Sequence, residues 1–241
     1  MSSETTGMIS VIKNSEYCDS ISNGLSIEDI IDLPNTTSLT LSLFYYNNKC
    51  NDLLKSLVPQ PSITELSANS SNLTEESALL IPILFPNIEK LHLRCNSKLT
   101  GITFTTLLNS CNKLKHLNVG LCNNEKNFDI SLLNDYYPNI EILEIDAYHS
   151  ANDWTYMPFL KLLLAGNRFP NLVKISIGFT YINEVGFYEI VDLLPTIKEI
   201  KCRIRPIEGF SNHIFITDNP RLLPDRLENK YRERPLTIIN S

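Results

Sequence analysis

Apolar residues recur along this chain at a fixed spacing. In Pro86-Asn87-Ile88-Glu89-Lys90-Leu91-His92-Leu93-Arg94-Cys95-Asn96 they fall at Ile88, Leu91 and Leu93, with a small polar residue, Asn96, three places on. The pattern returns as Leu114, Leu117, Val119 and Cys122, and again as Ile140, Leu143, Ile145 and Tyr148. Alternation around Leu91 and Leu93 has the period of a strand with one buried face. Counted along the whole chain, the first buried place falls at Ser38, Ile63, Ile88, Leu114, Ile140, Leu172 and Ile197. Successive places lie 25 or 26 residues apart, except for 32 between Ile140 and Leu172. The second and third places are Leu41/Leu43, Leu66/Ala68, Leu91/Leu93, Leu117/Val119, Leu143/Ile145, Ile175/Ile177 and Ile200/Cys202.

A proline stands two residues before the first place in five copies: Pro61, Pro86, Pro138, Pro170 and Pro195. Proline cannot continue a helix and drives its predecessor toward extended geometry, so each one predicts the end of a helix and the start of a strand. In the fourth copy Asn112 takes this place and Cys111 precedes it, where Phe85, Tyr137, Phe169 or Leu194 stands elsewhere. Between strands the pattern turns helical. Helices are predicted from Thr74, a cap followed by two acids, over Asn183–Val191 with Val185, Phe187 or Tyr188, and Val191 on one stripe, and over Phe159–Leu164 before Ala165-Gly166. Ser26 and Asp29 likewise predict a helix that buries Ile27, Ile30, Ile31 and Leu33. Ile9 and Ile12 suggest a degenerate strand, and Ser211, Ile214, Ile216 and Asn219 an abbreviated terminal one. One strand and one helix cannot bury their own apolar faces, so the units must stack. Residues 1–35 then form an N-terminal cap, 36–205 the array and 206–241 a C-terminal cap or tail.

A net charge of −6 argues against nucleic acid as a partner, because phosphate binding draws on clustered Lys and Arg. No apolar run reaches the roughly 18 residues of a membrane span, and no signal peptide opens the chain; both lead to an expectation of a cytoplasmic or nuclear protein. The six cysteines form no C-x-x-C pair, which fits reduced thiols. Cys111 and Cys122 read as core fillers, and Cys95 as partly exposed. The four histidines lack zinc spacing, and no phosphate loop or nucleophile motif appears. The expectation is no catalytic residue, no metal and no cofactor.

The spacing Cys111-x-x-Leu114-x-x-Leu117-x-Val119-x-x-Cys122 resembles the cysteine-containing leucine-rich repeats of F-box proteins and their relatives, across roughly residues 36–205. The resemblance implies an α/β solenoid, a curved horseshoe of about seven repeats with parallel strands on the concave face and helices on the convex face. Asn96, Cys122 and Thr180, in the ninth place of the motif, would turn inward and bond to backbone. In that family the array commonly receives substrates for a ubiquitin ligase, while a separate F-box holds the adaptor; the expectation is that the 35 residues ahead of these repeats hold no F-box. An enzyme regulator, such as one acting on a small GTPase, is the other function such a solenoid implies.

The outward strand places supply the candidate partner-binding residues: Phe44 and Tyr45, Glu65, then Lys90, His92 and Arg94, then Asn118, Glu144 and Asp146, Phe179, and Lys201 and Arg203. Asn69, His116 and Ser176 share their rows. His92 and His116 read as solvent-facing neighbours on adjacent strands. Trp154, the single tryptophan, lies in the insertion of the long repeat, the kind of loop that often borders a binding face. Charges of both signs with aromatic anchors suit a protein surface of complementary charge. Oligomeric state is open at this level.

Overall fold

A computed structural model describes residues 8–13, 16–21, 36–42, 49–122, 130–134, 136–148, 156–182, 184–204 and 213–217. The chain divides into two units, Met1–Leu133 and Asn134–Ser241, taken here one at a time.

In the first unit strands β1 (Met8–Lys13), β2 (Glu16–Ile21), β3 (Thr36–Ser42), β4 (Glu65–Ser67), β5 (Lys90–Leu93) and β6 (His116–Cys122) pair in the order β2-β1-β3-β4-β5-β6. From β3 to β6 every pairing is parallel, whereas β1 is antiparallel to both β2 and β3. The predicted Ile9/Ile12 strand is therefore real, but it belongs to a hairpin laid on the edge of the repeats. The helix predicted from Ser26 lies outside the described residues.

Leu66, Leu91 and Leu117 are register partners from strand to strand, and each is fully buried. Leu93 and Val119 form the next buried row. The first copy needs correction. Leu39, not Leu41, pairs with Leu66, so Leu39 and Leu41 fill the second and third places and buried Thr36 the first. Leucines at 39, 41 and 43 alternate, so a slip of two residues keeps the same face buried and the period alone does not choose between them.

Each strand is entered through one repeated turn. The carbonyl of the residue before the proline place accepts from the amide of the first buried place: Gln60–Ile63, Phe85–Ile88 and Cys111–Leu114 in the first unit, at 3.0–3.2 Å. Proline at the second position of such a turn has its φ already set. Helices α1 (Lys49–Ser56), α2 (Glu75–Ala78), α3 (Ile81–Leu84) and α4 (Gly101–Ser110) link the strands. Thr74 caps α2 as predicted, its hydroxyl accepting from the Ser77 amide, and Thr100 caps α4 in the same way through Ile102.

The second unit has parallel strands β7 (Ile142–Tyr148), β8 (Lys174–Ile182) and β9 (Glu199–Ile204), followed by β10 (His213–Thr217). The terminal strand predicted at 211–219 exists, yet it runs antiparallel to β9 and so caps rather than repeats. The entry turn recurs as Tyr137–Ile140, Phe169–Leu172 and Leu194–Ile197, and the Tyr137 and Phe169 rings stack with centroids 5.3 Å apart. Helix α5 (Tyr156–Leu164) begins three residues before the predicted start, with Pro158 accommodated in its first turn. Helix α6 (Glu184–Leu193) buries Ile190 and Val191; the side chains of Val185, Phe187 and Tyr188 lie outside the described residues. Both units are thus α/β repeats of the leucine-rich type, with the buried strand face against the helices and the outer face polar.

Candidate functional site

Two ladders hold the outer face in place. At the turns, the residue after the proline reaches back one repeat: Asn87 Nδ2 donates to the Pro61 carbonyl at 2.8 Å, Asn171 Nδ2 to that of Pro138 at 2.8 Å, and Thr196 Oγ1 to that of Pro170 at 3.0 Å. Where the fourth copy departs from Pro-Asn, Lys113 Nζ bonds Asn87 Oδ1 instead. Behind β5, fully buried Asn96 donates to the carbonyls of Ala68 and Leu93 and accepts from the amides of Ser71 and Leu73, at 2.8–3.2 Å. Its inward turn is as predicted. Ser71, one repeat earlier, bonds the Leu41 carbonyl in the equivalent way, and buried Asn51 supports Asn72 and Thr74. The side chains of Cys122 and Thr180, the other two inward places, lie outside the described residues.

On the outer face of the first unit the register sets Ser38, Glu65, Lys90 and His116 on one rung. The next rung carries Thr40, Ser67, His92 and Asn118. Beyond them Asn69 Oδ1 accepts from the Arg94 amide at 2.7 Å. Lys90 Nζ lies 3.3 Å from Glu65 Oε2, and just below the strands Lys115 lies 2.8 Å from Glu89. Lys90 and Arg94 are exposed; Glu65, His92 and His116 are half-buried. The two imidazoles are not merely neighbours, for they meet edge to face with centroids 4.7 Å apart.

Asn118 departs from expectation. It faces outward by register but is only 7% exposed. The side chain is short and sits between His92 across the strand and His116 two residues back on its own, so the taller rings shield it. Phe44 and Tyr45 lie outside the described residues, and the corrected register moves the outward places of β3 to Ser38 and Thr40.

In the second unit Glu144, Ser176 and Lys201 share a rung, with Glu144 half-buried and Lys201 exposed. Lys174 and Glu199 pair on the rung below at 3.1 Å. Asp146 lies opposite Gly178, and Arg203 opposite Tyr181, with both side chains outside the described residues. Phe179 falls where β8 shifts register against β9, and its side chain and Trp154 lie outside the described residues too.

Cys111 is a buried free thiol in the place that Phe85 fills one repeat earlier, as predicted, and burial pushes it up to about 12. Cys50 is also driven to about 12 by burial, held back slightly by a hydrogen bond with Ser71. Cys95 is half-buried, beyond the end of β5 in a left-handed turn with φ 60°; Ser70 holds the equivalent turn one repeat earlier with φ 54°. Among the described residues no three His, Cys, Asp or Glu side chains gather as metal ligands, and no helix is long and apolar enough to cross a membrane.

No protein-family model matches the chain, and none of the curated proteins matches it. Among solved structures it is similar to the leucine-rich repeat-containing protein LegL7 from Legionella pneumophila, at 15% identity and a TM-score of 0.46. That match covers 78% of this chain and 63% of LegL7, so the chain spans less than two thirds of it. The assignment to the leucine-rich-repeat type rests on the chain's own register, with Leu66, Leu91 and Leu117 stacked and Asn96 bonded beneath them.

Proposed function

We propose that this chain is a non-enzymatic scaffold that docks another protein on its outer strand face. The observation that carries the reading is the pair of rungs Glu65–Lys90–His116 and Ser67–His92–Asn118, which present polar and charged side chains in strict register from a rigid sheet. Side chains fixed on strands lose little entropy on docking, which favours a preformed surface over a loop. The cysteine-containing spacing around Cys111–Leu117 supports a finer version, substrate recognition for an SCF-type ubiquitin ligase.

The test is affinity capture with paired variants. Ser67→Trp, which fills the outer face, should abolish recovery of a partner, while Lys55→Ala on α1 should leave it intact. Recovery that survives Ser67→Trp overturns the reading. A ubiquitin-ligase adaptor among the recovered proteins supports the finer version; a small GTPase there favours a regulator of that enzyme instead.

A further inference from the structure

Resting on the outer-face reading, the geometry points to an acidic, extended protein segment as the partner of the β5–β6 rungs. The charge balance of this region is opposite to that of the chain. From Ile88 to His116 the sequence carries Lys90, Arg94, Lys98, Lys113 and Lys115 against one carboxylate, Glu89, while the whole chain is net −6. The described rungs themselves carry Glu65, Lys90 and two imidazoles, His92 and His116, with the exposed Arg94 just beyond them. Glu65 and Glu89 each already lie against a lysine, Lys90 and Lys115. Such exposed pairs are weak and exchange readily, so Lys90 can turn to an incoming carboxylate.

Spacing narrows the partner further. Lys90 and His92 are alternate residues of β5, so their side chains leave the same face about 6.6–6.8 Å apart, and the exposed Arg94 follows just past the strand's end. Carboxylates at alternate positions of an extended segment have that same interval, whereas helix neighbours on one face lie three or four residues apart. The half-buried His92 beside Lys90 adds an imidazole to the segment's second row. A nucleic acid would meet the same cations, but among the described residues of the two rungs no aromatic other than the histidines offers it a stacking platform.

Fluorescence polarisation on the full chain tests this with four labelled probes of equal length. They are a peptide with Glu at alternate positions, its scrambled form with the same acids in one block, its Lys counterpart, and oligouridylate. The alternating acidic peptide should bind best and weaken with salt. Arg94→Glu, checked for an unchanged melting temperature, should lower its affinity about tenfold or more and give the Lys peptide measurable binding; Lys55→Glu on α1 should change neither. Tighter binding of oligouridylate, equal binding of the scrambled peptide, or indifference to Arg94→Glu overturns the proposal. Captured partners separate the two readings: if Ser67→Trp releases them and Arg94→Glu does not, the acidic-segment assignment falls and the outer-face reading stands.

Discussion

Asn96 concentrates backbone bonding between two repeats of the first unit. It satisfies two carbonyls and two amides in a fully buried place between repeats. Removing it strands all four groups away from water, so Asn96→Ala should lower stability by about 2–4 kcal/mol, read as a drop in the urea midpoint. Asn96→Asp keeps the acceptor and loses the donors, and should fall between. The buried thiols make a second prediction. Cys50 and Cys111 are raised from 9.0 to about 12, so folding favours their neutral form. That stabilisation is fully present below about pH 9 and is lost as pH rises toward about 12. Replacing Cys111 by Val should flatten the alkaline fall in the unfolding midpoint; an unchanged slope would refute the assignment. Near neutral pH an alkylating reagent should modify Cys95 well ahead of Cys50 and Cys111, as followed by mass spectrometry.

At the scale of the element, the strand and its entry turn are the repeating object. Leu91 and Leu117 are both fully buried and sit side by side in the register. Truncating either to Ala should cost about 2–5 kcal/mol, because a stacked repeat cannot collapse around the cavity. By contrast, Lys90→Gln removes a pair that is 54% and 36% exposed at its two side chains, and should cost less than about 1 kcal/mol. Thermal melts of the three variants side by side check both statements. The entry turns explain why proline recurs without being required. Its ring presets the turn, but the bond that closes the turn is made by its neighbours, which is why Cys111-Asn112 substitutes at no loss of geometry.

For the molecule as a whole, open sheet edges are the hazard of a stacked array. The β1–β2 hairpin pairs with β3 through Ile9 opposite Leu41 and Val11 opposite Leu39. Deleting residues 8–21 should bare the β3 backbone and cause self-association, measurable by light scattering against the intact chain. On the outer face, the proposed docking draws on summed charge. The stretch Ile88–His116 carries five Lys and Arg against one carboxylate within a chain of net −6, and the proposed acidic partner rests on that contrast.

How much of this was legible in advance differs from residue to residue. The stacking of Leu91 and Leu93 over their equivalents and the burial of Ile88 are written in the spacing, because a buried strand face needs apolar side chains at fixed intervals whatever its partners are. The inward place of Asn96 and the cap at Thr74 were equally readable, since each meets a local backbone need. Local pattern stops where a choice depends on a neighbour. The two-residue slip in β3 was invisible because either register buries a leucine, and only Leu66 across the strand decides for Leu39. Asn118 reads as outward and is outward, yet the rings of His92 and His116 cover it. The supporting bonds of Ser71 and Asn51, and the antiparallel direction of the β1–β2 and β10 caps, likewise belong to tertiary structure alone. By itself, then, the sequence determined the repeat, its period and its buried row, because burial is dictated by a residue's own chemistry. Strand register, shielding and the company each charge keeps were decided only by folding, because they are properties of pairs of residues rather than of either one alone.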